Sequence, residues 1–198
     1  MIDIIKYGDF KPTGKQKKKN QIILTHTSRN VENYLASLRY RHNGKYKKIP
    51  NYVITKDGKI LKLLENYEYS EFFATKNINR NGIVICLENL GWLEKQPLEN
   101  QYVNWIGDIY NGKTFDRKWR DYYFWDPYTE KQTDSLVDVC KSIIKEMKMN
   151  QGIIEHNTKI NGIEKYKGIV TKSNYNSYIT DLSPAFDFEL FRKKFENE

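Results

Sequence analysis

The chain has 198 residues, 39% of them hydrophobic and 14% aromatic, which is enough apolar material for one core and sets the expectation of a single domain over 1–198. No apolar run reaches membrane-spanning length, and the two cysteines, Cys86 and Cys140, form neither a metal-type pair nor a disulfide framework. The net charge of +8 implies an anionic partner but does not choose between nucleic acid, an acidic membrane and an anionic wall polymer.

The first twenty residues lack a basic-then-apolar signal pattern, so Sec export is not expected and synthesis in a reducing cytoplasm is. Residues 11–20, KPTGKQKKKN, read as a basic, mobile loop. QIILTH, 21–26, is a short apolar run with two isoleucines and predicts a buried strand. Over 29–43, Val31, Leu35 and Leu38 fall at helical spacing with Asn30 as the cap. Residues 51–64, NYVITKDGKILKLL, form a hairpin pattern around Lys56, Asp57 and Gly58. GIVICLENLG, 82–91, predicts a second buried strand closed by Gly91.

Residues 92–128 are irregular and rich in aromatics, among them Trp92, Trp105, Trp119 and Trp125. That is longer than an ordinary connection, which predicts an insertion that is either functional or specific to the family. Its rings could pack the insertion onto the sheet or stack on sugar faces. Residues 129–150 predict an amphipathic helix, with Thr129 as N-cap and Gln132 at the capping-box position. GIIEHN, 152–157, predicts a strand ending at His156. A polar loop then leads to TDLSPAFDF at 180–188, and 186–196 predicts a last helix. Strands and helices alternate, so the expected class is α/β, a mixed central sheet flanked by helices.

The chain has only three histidines. His26 and His156 end predicted buried strands, where sites collect in α/β sheets. A catalytic zinc needs three protein ligands and an open position for water. His26, His156 and Asp181 meet that count, with His42 in reserve, although residue type alone does not establish the site.

In order, H-T-S at 26–28, the hairpin NYVITKDGKILKL, the strand IVICLENLG, IIEHN and DLSPAFDF make the chain resemble the type 2 N-acetylmuramoyl-L-alanine amidases. That group includes amidase-type phage lysozymes and peptidoglycan recognition proteins, and the resemblance spans about 20–195. It implies a zinc enzyme on a mixed sheet flanked by helices. The bond cut would join N-acetylmuramic acid to L-alanine of the peptidoglycan stem peptide. By carry-over, the Zn2+ ligands are His26, His156 and Asp181. Many relatives read His-His-Thr at the first ligand. Thr25 can be aligned there, but His26 is preferred because threonine is a poor zinc ligand.

The chemistry needs a base and an oxyanion donor beside the metal. The candidates are Glu88, Lys172 and Tyr52. They stand in for family positions that here hold Cys86 on the middle strand, Ile179 before the last ligand, and Pro50 before the hairpin strand. The expected function is a peptidoglycan amidase, a phage endolysin or virion-associated lysin. It would be monomeric, made in the host cytoplasm and act on the wall after release. The alternative is a non-catalytic peptidoglycan-binding module of the same fold. A nucleic-acid role has only the charge in its favour, with no recognised motif.

Overall fold

A computed structural model describes residues 3–97 and 101–197. Residues 98–100 of the predicted insertion lie outside the described residues. In chain order, β1 (Ile4–Lys6) is followed by β2 (Gly14–Lys15), β3 (Gln21–His26) and α1 (Val31–Tyr40). The hairpin is β4 (Tyr52–Ile54) and β5 (Ile60–Lys62), followed by β6 (Glu68–Tyr69), α2 (Lys76–Asn81) and β7 (Gly82–Leu87). The insertion holds β8 (Trp92–Lys95), β9 (Tyr102–Val103), β10 (Ile109–Tyr110), β11 (Phe115–Trp119) and β12 (Tyr122–Trp125). The chain closes with α3 (Glu130–Met147), β13 (Gly168–Thr171) and α4 (Phe188–Glu196).

The central sheet runs β1-β5-β4-β7-β3-β13. It is parallel throughout except for the β4–β5 hairpin. Strands β3 and β7 are buried along their whole length, as continuous apolar runs in a parallel sheet should be. Alternate residues serve opposite faces. Ile22, Leu24, Ile83 and Ile85 pack with Leu136, Val139 and Ile143 of α3 and with Phe191 of α4. Val53, Val84 and Cys86 pack on the other face with Leu35 and Leu38 of α1.

The caps follow the sequence. Asn30 caps α1, Thr129 and Gln132 form the capping box of α3, and Asp187 caps α4. The aromatic insertion folds into its own antiparallel sheet, β10-β9-β8-β12-β11. Lys56 Nζ pins it to the hairpin, 2.8 Å from the buried Asp126 carboxylate.

Two expectations are corrected here. The basic segment 11–20 is not wholly a free loop. Gly14–Lys15 pairs with β6, and Lys19 is buried, its Nζ donating to the carbonyls of Glu68 (2.5 Å) and Gly82 (2.9 Å). The predicted strand at 152–157 makes only a bridge, Ile153 to Ile169. The place beside β3 is taken by β13, whose four residues are all buried and pair with Gln21 to Leu24. Glu155 and His156 are exposed, and a segment with a charged, solvated end fits the rim better than a central slot.

Candidate functional site

The C-terminal edge of the parallel strands carries the site. Thr25 on β3 pairs with Cys86 on β7, so both point to the α1 face. Thr171 on β13 pairs with Leu24, which puts Lys172 one step on, beside Thr25. Lys172, Thr25 and Cys86 thus form a row across three strand ends. Asp181 hangs over that row. Its loop is tied down by Ser173, whose backbone N–H donates to the Asp181 carbonyl at 2.8 Å and whose hydroxyl donates to it as well.

Both oxygens of the Asp181 carboxylate are engaged. Oδ2 accepts from the Thr25 hydroxyl and from Lys172 Nζ, the latter at 2.9 Å. Oδ1 lies 3.1 Å from His26 Nε2. His26 alternates with Thr25 and leans toward the α3 side, where its Nδ1 pairs with the Tyr128 hydroxyl at 3.0 Å. Gly91, at φ +82, passes close to this ring, and a Cβ there would come within 3.2 Å of Nε2. Both ring nitrogens therefore have protein partners, and the His26 side chain is 1% exposed.

Burial alone would raise the Asp181 pKa. The charges of His26 and Lys172, with hydrogen bonds from His26 and Thr25, outweigh it and hold the carboxyl well below the usual range. For Lys172 burial pulls the ammonium down, and Asp181 more than offsets it and raises it. Burial pushes the Cys86 thiol up to about 12, and its sulfur sits 3.4 Å from the Tyr34 hydroxyl.

Of the predicted residues, His26, Lys172 and Asp181 come together. His156 does not join them. Its ring is exposed, and its Nδ1 accepts from the Thr158 backbone N–H at 3.2 Å. Asn174 Nδ2 clamps this loop from outside, donating to the carbonyls of His156 and Thr158. The cause is the strand exchange: with β13 beside β3, the 152–156 segment is displaced one place outward.

Glu88 points elsewhere as well. Its carboxylate accepts the backbone N–H of Val31 at 2.9 Å and of Lys56 at 2.8 Å, fastening the start of α1 to the hairpin turn. Tyr52 is buried toward α3, donating to Asn66 Oδ1 at 2.8 Å. His42 is exposed and stacks on Tyr46. Asn157 donates to the Ser183 carbonyl at 3.3 Å. Among the described residues, no group of three or more His, Cys, Asp or Glu is placed to hold a metal ion. The zinc set His26, His156 and Asp181 is thus not assembled, and the donors present do not fit that ion.

A cleft opens beside the cluster. Phe72, Phe73 and Tyr175 supply its rings, and Lys48, Lys159 and Lys172 its cations. Lys172 Nζ lies 5.8 Å from the Phe72 ring centre, so it stands between cleft and carboxylate. On the other side, the Trp105 indole and the Asn104 amide both donate to the Ser28 carbonyl, at 3.1 and 3.2 Å. They hold the insertion against the end of β3.

Comparison with known proteins agrees with this architecture. No curated protein sequence matches the chain. Its fold is similar to that of the endolysin N-acetylmuramoyl-L-alanine amidase LysCS from Clostridium intestinale URNW. That TM-score is 0.57 at 13% identity, covering 98% of this chain and 95% of that one. It is also similar to the amidase AmiD from E. coli, solved with an anhydro-N-acetylmuramic acid peptide substrate. There the TM-score is 0.57 at 16% identity, over 94% of this chain and 60% of that one. Drosophila peptidoglycan recognition protein SD gives 0.53 at 10% identity, over 98% and 95%. The sequence pattern of the N-acetylmuramoyl-L-alanine amidases matches residues 15–167, more than half of the chain, and the chain belongs to that family.

Proposed function

We propose that this chain recognises bacterial peptidoglycan at the junction of N-acetylmuramic acid and the stem peptide, and that it holds this junction rather than hydrolysing it through zinc. The observation that carries the reading is the state of Asp181. Its oxygens are taken by Thr25, Lys172 and His26, and Lys172 also lines the aromatic, cationic cleft beside them. Rings such as Phe72, Phe73 and Tyr175 suit the apolar faces of a sugar or a small side chain. Lys48 and Lys159 suit peptide carboxylates. Amide hydrolysis needs an activated water and a base near it. Among the described residues, Glu88 is committed to backbone N–H groups and Tyr52 faces α3, so neither stands ready for that task.

A second reading keeps the expected zinc amidase, a phage endolysin or virion-borne lysin acting on the wall. It is favoured by the 3.1 Å approach of His26 Nε2 to Asp181 Oδ1, two of the three expected ligands. Purified sacculi separate the two. Co-sedimentation without release of new L-alanine amino groups supports recognition. Release of those groups, dependent on zinc and on His156, supports the amidase. A chain that neither sediments with sacculi nor cleaves them contradicts both.

A further inference from the structure

The geometry points to Lys172 as an internal cation standing where a metal would bind, so that Thr25, Lys172 and Asp181 form the three-point frame of a metal centre without its metal. This deepens the recognition reading, but it rests on the cluster itself. A metal held at the edge of this sheet would need donors from adjacent strand ends converging on the Asp181 carboxylate. Two side chains do converge there, and they come from neighbouring parallel strands. Thr25 Oγ1 and Lys172 Nζ meet the same oxygen, Asp181 Oδ2. The register makes this unavoidable, because Lys172 follows the pair Thr171 and Leu24 just as Thr25 does.

Neither side chain is a zinc ligand of consequence. A hydroxyl is a poor one, and an ammonium has no lone pair to give. The ammonium does meet the electrostatic need that a cation would meet. A carboxylate with its side chain 8% exposed requires a positive partner, and Lys172 supplies one covalently tied to the chain. His26 belongs to the supporting shell. It approaches the other oxygen and is fixed from behind by Tyr128.

Replacing the two non-ligands should therefore create a site. In Thr25→His/Lys172→His, with Asp181 kept, two imidazoles and a carboxylate converge on one point. The wild-type chain, purified and then equilibrated with zinc, is expected to retain no stoichiometric metal. Its melting temperature should be the same in zinc and in EDTA. The double variant is expected to retain one zinc per chain and to melt higher in zinc than in EDTA. Adding Asp181→Ala should abolish both effects. Stoichiometric zinc in the wild type, lost in His156→Ala, would overturn the inference, as would a folded double variant that takes up no zinc. If the double variant does not fold, the wild-type zinc content and EDTA melt decide alone. Peptidoglycan plays no part in these measurements. A chain that fails to bind sacculi refutes the recognition reading without touching this one, and zinc retention refutes this one whether or not sacculi are bound.

Discussion

Asp181 shows how much a single buried carboxylate constrains its surroundings. Removing one partner from a buried pair leaves a charge without compensation. Lys172→Met is therefore expected to cost about 3 kcal/mol of stability, because Thr25 and His26 still hold the carboxylate. Urea unfolding of the variant checks this, and a loss below about 0.5 kcal/mol, the scale of an exposed pair, would show that the pair is solvated. Lys19 gives the pH dependence. Burial lowers its pKa from 10.5 to about 7, against a smaller opposing effect from Glu68. Between those values the unfolded chain binds the proton and the folded chain does not, so Lys19 makes stability rise with pH from about 7 to about 10.5. Lys19→Met should flatten that rise in a series of unfolding curves. At this scale the sequence exposed Asp181 and Lys172 through their loop, but not their pairing. It put His26 ahead of Thr25, whereas Thr25 is the one that shares an Asp181 oxygen with Lys172. Successive strand residues face opposite ways, and only the neighbouring strand's identity tells which face holds the site.

The elements most legible in the sequence are those whose patterns have no competitor. QIILTH, GIVICL and the capped helix after Thr129 each fall where expected. The segment after α3 offers two short apolar runs, GIIEHN and GIVT, and periodicity cannot rank them. Their burial does. Residues 168–171 are all buried, whereas the other run ends in exposed Glu155 and His156. Gly168 shows how closely the displaced segment is packed against β13. It has φ +135, and a Cβ there would sit 2.2 Å from the Gly152 carbonyl oxygen, itself the acceptor for Ile169 N–H. Gly168→Ala is expected to cost about 2 kcal/mol or more through backbone strain, with the 152–154 pairing lost. Hydrogen exchange at Ile154 and Ile169 reads this directly, and unchanged protection at both amides would contradict it.

Across the whole molecule, one sheet packs α3 and α4 on one face and α1 on the other, and the second sheet covers the edge where β3 ends. The alternation of elements made the first of these legible. The second was visible only as a run of aromatics, because strands of two to five residues carry too little periodicity to announce a sheet. Trp105 and Tyr123 are each 51% exposed on this added sheet, a surface suited to stacking on sugar rings. Tyr123→Ala, which removes an exposed ring that ties down no other element, is expected to weaken sacculus binding about fivefold, a loss of about 1 kcal/mol, while the melting temperature stays within about 2 °C. With a net charge of +8, binding should also weaken as salt rises. Recognition of peptidoglycan without a metal is decided by co-sedimentation of the wild-type chain with purified sacculi, in EDTA and in zinc. Equal binding in both is expected, with no release of L-alanine amino groups in either. Binding that needs zinc, or amino groups released only when zinc is present, would contradict it.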